Sequence, residues 1–418
     1  HLAAITVASV YIQLQCEAVM SQTKVEQFVR RAVSAGKFGG DVELSEVVLE
    51  TTKGEDQFAS NVVFAVVKLK QRNAIRNKEV VMKVQSENEF LRTIMDTNQQ
   101  FHNELLMYRE ILPFLNRKDI VRELFPDFYH GRVTNGEDPM EDFLIVQNLR
   151  PFGYKLSPDK VNVDYDHVVL SFRMLGRFHA LSYAAKADDL EGFMERTGKL
   201  LQVHYKEDTK DRMNDFLKYS KFRGITPLLE ECKEVILPLV DALEDPVALM
   251  LRMFTPEEPV AVLCHGDFCR NNILYKYEKG KPIDVKFFDL ATSKYCSPAI
   301  DLAFFLFLNV SSELRMKHWD DFLAVYHEGL CEAVPGTVVP SLDDVKEEMR
   351  KRAVYAYVLC SFFLPTMMDS TSDFNDLESQ TEEERYEMGR TQGGEAATLA
   401  VVNVVKDLIA KGCLSVLK

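Results

Sequence analysis

The stretch AVLCHGDFCRNNILYKY, residues 261–277, constrains this chain more than any other. It sets His265, Asp267, Asn271 and Asn272 between two apolar, strand-like runs. Polar side chains that close to apolar runs must be hydrogen-bonded, hydrated or used in chemistry. The spacing His-x-Asp-x4-Asn, met by His265, Asp267 and Asn272, suits phosphoryl transfer from a nucleotide. Asp267 would orient an acceptor hydroxyl and take its proton, and Asn272 would hold a metal ion. A hairpin pattern follows, ILYKYE–KGKP–IDVKFFDL, and it delivers Asp289 where a second metal-binding oxygen is needed.

Phosphates also require a cation fixed in place. Lys83 stands among valines in KEVVMKVQ, which reads as a strand. Glu104 follows 21 residues later in QQFHNELLMYREILPFL, where apolar residues at 101, 105, 108 and 112 have helical spacing. Each part has a plainer reading by itself. Lys83 suits a snorkelling lysine on a half-exposed strand, and Glu104 a solvated helix residue. Gly54, with Asp56 and Ser60, suits an ordinary turn. Four parts in the order the chemistry demands outweigh those separate readings. His265 is read as structural, bonding backbone to hold its loop. His179 shares a helical stripe with Val168, Phe172, Leu175 and Ser182 and is read as a satisfied core histidine.

Around these residues the pattern predicts a two-lobed α+β architecture. Residues 20–142 read as a small antiparallel-β lobe with one key helix, 143–150 (FLIVQNLR) as a hinge strand and its exit, and 151–418 as a larger, mostly helical lobe. Residues 369–394 read as an acidic surface loop with a short helix. The net charge of −14 argues against nucleic acid as the main partner. Eight scattered cysteines without a C-x-x-C pair point to free thiols in a reducing compartment, hence a cytoplasmic protein. Residues 1–19 are too polar for a membrane span and lack a basic start; they read as an upstream leader. Met20 then looks like the natural first residue, with Ser21 as a helix N-cap.

The block LCHGDFCRNNILYKYEKGKPIDVKFFDLATSKYCSPAIDLAFFL resembles the ecdysteroid-kinase-like family, also called the CHK (choline-kinase-like) kinases. These are distant relatives of choline kinases and aminoglycoside phosphotransferases within the protein-kinase-like fold. FHNELLMYREILP (101–113) and LGRFHALSYAAK (175–186) match the same family, so the likeness spans about residues 40–370, with a core near 143–334. It implies ATP and Mg²⁺ as cofactors and Asp267 as the catalytic carboxylate. It further implies that Asn272 and Asp289 hold the metal, Lys83 and Glu104 grip the phosphates, and Gly54 to Ser60 cover them. Backbone at Gln147, Asn148 and Leu149 would hold adenine. Asp301, in SPAIDLAFFL, would brace the catalytic loop, its plainer reading being a helix N-cap. Three positions depart from the family pattern: Cys269 for an aromatic residue, Leu290-Ala291 for Phe-Gln, and Gln147-Asn148 for an acidic pair. They bear on substrate choice and the adenine site rather than on the reaction.

Only eleven residues separate Asp289 from Asp301, too few for a peptide platform with its activation segment. The expected acceptor is therefore a hydroxyl of a small molecule. The resemblance suggests an ecdysteroid or another lipophilic alcohol, with choline or ethanolamine as the alternative. A kinase fold that only binds nucleotide or a protein is the rival of another class. The retention of Lys83, Asp267, Asn272 and Asp289 weighs against it.

Overall fold

The computed structural model describes residues 22–50, 61–369 and 381–417. Gly54, Ser60, Ser21 and the leader lie outside them. Two structural parts follow one another along the chain, an antiparallel sheet and then a larger body built mainly of helices.

The sheet comprises β1 (Glu43–Leu49), β2 (Asn61–Gln71), β3 (Ala74–Val84), β4 (Phe128–Arg132) and β5 (Phe143–Gln147), in the order β1-β2-β3-β5-β4. Strand side chains alternate between faces. Val80, Met82 and Val84 therefore bury one face of β3, beneath helix α1 (Gln22–Ser34). That helix presents Val25, Phe28, Val29 and Ala32 at helical spacing, and Phe28 stacks on Phe143 with centroids 4.2 Å apart. The same alternation turns Val81 and Lys83 to the opposite face. There Lys83 lies opposite Leu144 in register. Helix α2 (Thr97–Leu106) packs Phe101 and Leu105 on Leu144. Glu104, between them on the helix, is thereby brought over Lys83.

The chain leaves β5 through a short crossing and the two-residue strand β6 (Tyr154–Lys155) into helix α3 (Tyr165–Asp188). Asp164 caps this helix, accepting from His167 N at 3.0 Å. The sequence motif then folds as a strand, a loop and a hairpin: β7 (Val262–Cys264), β8 (Ile273–Glu278) and β9 (Lys281–Phe287). A last short strand, β10 (Lys294–Cys296), pairs antiparallel with β7. Helix α4 (Ala299–Asn309) is buried along its whole length, as a helix apolar on every side must be. Helix α5 (Ser312–Ala333) lies close against α3. A Cβ at Gly176 would meet Tyr326 O at 2.2 Å, so only glycine permits that approach. Helix α6 (Val354–Met368) packs on α4 and is largely buried. The expected short helix in the acidic stretch is present at Glu382–Thr391. No helix among the described residues is long and apolar enough to cross a membrane. The described cysteines are free thiols, most of them buried.

Candidate active site

Five sequence-predicted groups, Lys83, Glu104, Asp267, Asn272 and Asp289, meet in one cleft. Lys83 Nζ donates to Glu104 Oε1 and Oε2 at 3.0 and 2.9 Å, and it lies 3.0 Å from Asp289 Oδ1. Burial of Lys83 disfavours its charge, but Asp289 and Glu104 overcome that and hold the ammonium well above its ordinary range. Lys83 is thus a fixed cation that joins the sheet, α2 and the end of the β9 hairpin.

Asp289 sits just beyond β9 with φ 65°, a left-handed conformation costly for a residue other than glycine. Its carboxylate lies in the cleft beside Lys83, where the side chain stays 35% exposed. Asn272 donates from Nδ2 to Asp267 Oδ2 at 2.8 Å and to Asp267 O at 2.9 Å. With Nδ2 so committed, what Asn272 offers a cation is its Oδ1. Asp289 and Asn272 supply only hard oxygen donors, which fits Mg²⁺. Burial, and after it the charge of Asp289, push the Asp267 carboxyl above the usual aspartate range, against the pull of His265, Asn272 and Lys294.

The loop that carries Asp267 is braced from below. Asp301 accepts from His265 N at 2.7 Å and from Gly266 N at 2.8 Å. It lies in the first turn of α4 and is not that helix's N-cap, a position held by Pro298, so the N-cap alternative is set aside. His179 contacts Asp301 Oδ2 through Nε2 at 3.1 Å and Tyr326 Oη through Nδ1 at 2.9 Å. Burial lowers the pKa of His179, so its neutral ring is a satisfied core group, as read from the sequence. Burial would push Asp301 up, yet the His179 hydrogen bond and the loop amide hold it below the usual range. His265 reaches Phe288 O through Nε2 at 2.9 Å, which ties the Asp267 loop to the segment bearing Asp289. Gly266 has φ 87°, and a Cβ there would meet Thr292 O at 2.0 Å. No other residue fits that turn.

At the hinge the structure narrows the expectation. Gln147 N donates to Asp127 O at 2.8 Å and Asn148 N to Glu79 O at 3.0 Å, so both amides are spent within the sheet. Among the described residues no acceptor takes the Leu149 amide, which leaves it as the hinge donor available to a ligand. The Asn148 side chain accepts from Arg150 N at 3.0 Å and shapes the exit from β5.

Lys83, Glu104, Asp267, Asn272 and Asp289 line a cavity of about 1110 Å³. The sequence locates its other wall only broadly, in the segments around 200–255 and 320–395, where no motif singles out a residue. Val203, Tyr205, Phe216, Phe254, Tyr355 and Phe362 belong to it, with Lys294 at the edge. These residues come from segments far apart in the chain, and each looks like ordinary core in its own segment.

A lysine clamped by a helical glutamate, above a braced Asp–Asn loop and a hairpin-end aspartate, is the arrangement that phosphoryl transfer on a kinase-like fold requires. The model of the ecdysteroid kinase-like family matches residues 54–335, and the chain belongs to that family. No curated protein matches this sequence. Several solved structures are similar to it. One is the macrolide 2'-phosphotransferase MphH from Brachybacterium faecium, 15% identical with a TM-score of 0.37, covering 88% of this chain and 96% of that one. The GDP complex of a mutant aminoglycoside 2'-phosphotransferase-IIIa is 14% identical with a TM-score of 0.43, covering 93% and 99%. Amicoumacin kinase hAmiN, in complex with AMP-PNP, Ca²⁺ and Ami, is 12% identical with a TM-score of 0.41, covering 88% and 95%.

Proposed function

We propose that this protein transfers the terminal phosphoryl group of ATP to a hydroxyl of a lipophilic small molecule. The observation that carries the reading is the single cavity in which Lys83, Asp267, Asn272 and Asp289 face an apolar, aromatic wall. An ecdysteroid or a comparable alcohol suits that wall. A choline-type acceptor suits it less, because its cation would enter beside Lys294, whose Nζ lies 4.7 Å from the Phe254 ring centroid.

Each residue has a defined task. Leu149 N–H donates to the adenine base, and Val62, Phe64 and Val146 bound the space for it. Lys83, steadied by Glu104, contacts phosphate oxygens. Asn272 Oδ1 and Asp289 would hold Mg²⁺, which neutralises phosphate charge as the transferred group separates from ADP. Asp267, oriented by Asn272, hydrogen-bonds the acceptor hydroxyl and takes its proton as the oxygen bonds to phosphorus. The bond from phosphorus to the bridging oxygen breaks, and ADP leaves with that electron pair.

The test is a phosphorylation screen of steroid, phenolic and choline-like alcohols, read by mass spectrometry. A gain of one phosphate on a lipophilic alcohol is expected. Nucleotide binding with no product anywhere in the panel would mean a catalytically silent nucleotide-binding module instead.

A further inference from the structure

Four hydrogen-bonding groups in the cleft have no part in the steps above. Lys294 donates from Nζ to Thr292 O at 2.9 Å and lies over the Phe254 ring. Among the described residues no carboxylate forms an ion pair with it. Tyr205 and Tyr355 pack on the same ring, with centroids 6.2 and 5.5 Å from that of Phe254. Neither tyrosine hydroxyl has a hydrogen-bond partner among the described residues. Thr292 Oγ1 is buried and likewise unpartnered. All four residues line the cavity that holds Asp267. A Cβ built on Gly266 would stand 3.2 Å from Lys294 Nζ, so this ammonium adjoins the residue just before Asp267.

The tyrosine hydroxyls and the ammonium line the cavity short of protein acceptors, so a ligand oxygen can pair with them, and the buried Thr292 hydroxyl costs free energy while it stays unpaired. Here they gather around the Phe254 ring, Thr292 through its bond to Lys294, in the cavity that also holds Asp267. We propose that Lys294, Tyr205, Tyr355 and Thr292, gathered around Phe254, form a subsite that reads a second, neutral oxygen of the acceptor. The substrate class is then an apolar molecule carrying a carbonyl or hydroxyl oxygen close to the hydroxyl that is phosphorylated. A purely monohydroxylated lipid leaves these donors unpaired, and a site built to bond a substrate oxygen discriminates strongly against the analogue that lacks it. The charges near Asp267 agree: Lys294 pulls its pKa downward, as a neighbouring cation does.

This inference rests on the phosphotransferase reading of the same cavity, and the experiment separates the two. Wild type, Lys294→Met and Tyr355→Phe are assayed with Mg-ATP against matched alcohols on one steroid frame, with and without a nearby ketone or second hydroxyl. Thermal melts check that each variant is folded. Wild type should favour the doubly oxygenated partner by at least about tenfold in kcat/KM. Both variants should lose that preference through a raised acceptor KM, with KM for ATP unchanged. A wild type without preference, or folded variants that both keep it, would overturn the subsite and leave the phosphotransferase reading standing. No product from any alcohol would overturn the phosphotransferase reading itself, and the subsite with it.

Discussion

Asp267 must be deprotonated to accept a proton, so its surroundings set the pH response. Burial and the charge of Asp289 place its carboxyl above the ordinary value of 3.8. The acid limb of acceptor kcat/KM, measured in the free enzyme's pH profile, should therefore lie above 3.8, with rate lost as pH falls through it. A limb at or below that value would contradict the role. Lys83→Ala removes the cation shared by Glu104 and Asp289, and should lower ATP-dependent turnover by about 10²-fold or more. Steady-state kinetics that match wild type would place Lys83 outside the reaction. His204 offers a stability test. Burial lowers its pKa from 6.5 to about 4. The unfolded chain therefore takes up a proton first as pH falls, and stability drains away between about pH 6.5 and 4. His204→Gln should flatten that slope in urea melts at stepped pH, provided the variant stays folded.

At the level of elements, the loop between β7 and β8 depends on α4 for its shape. Asp301→Ala would leave the His265 and Gly266 amides without their shared acceptor, and should cost about 3–5 kcal/mol in denaturant unfolding. Activity should fall with it, while Asp301→Asn, which keeps one acceptor oxygen, should do less harm. Phe28→Ala should cost about 3–5 kcal/mol, because it empties the contact between α1 and the sheet. Much of this was legible. Val80, Met82 and Val84 alternate with Lys83, and the stripe around Glu104 is helical, so period put one on a strand and the other on a helix, and their spacing of 21 residues suggested the pair. The strand β4, FYHGR, was missed because its glycine, histidine and arginine break the alternation; pairing with β5 holds it in the sheet. Strand β3 starts earlier than the stretch KEVVMKVQ, since polar Arg76 and Asn77 already pair with Leu69 and Lys68.

For the molecule as a whole, the polar groups that meet in the cleft were readable because Asp267, Asn272 and Asp289 stand at short spacings and Lys83 and Glu104 follow in order. The individual residues of the aromatic wall were not, though the segments around 200–255 and 320–395 that carry them were. Tyr205, Phe254 and Tyr355 are apolar or aromatic residues in separate segments, and only tertiary packing turns them into one wall. The hinge shows the same limit, since pattern marked Gln147 to Leu149 but only the sheet's hydrogen bonding singles out the Leu149 amide. The central claim is that Asp267 and two metal-binding oxygens act together on the terminal phosphate of ATP. The most direct measurement follows a label in that phosphate through wild type and Asp267→Ala, each first shown to bind Mg-ATP. Label recovered as a phosphate ester of the alcohol from wild type, and lost from a variant that still binds nucleotide, is the predicted result. Ester formed as readily by the variant would contradict it.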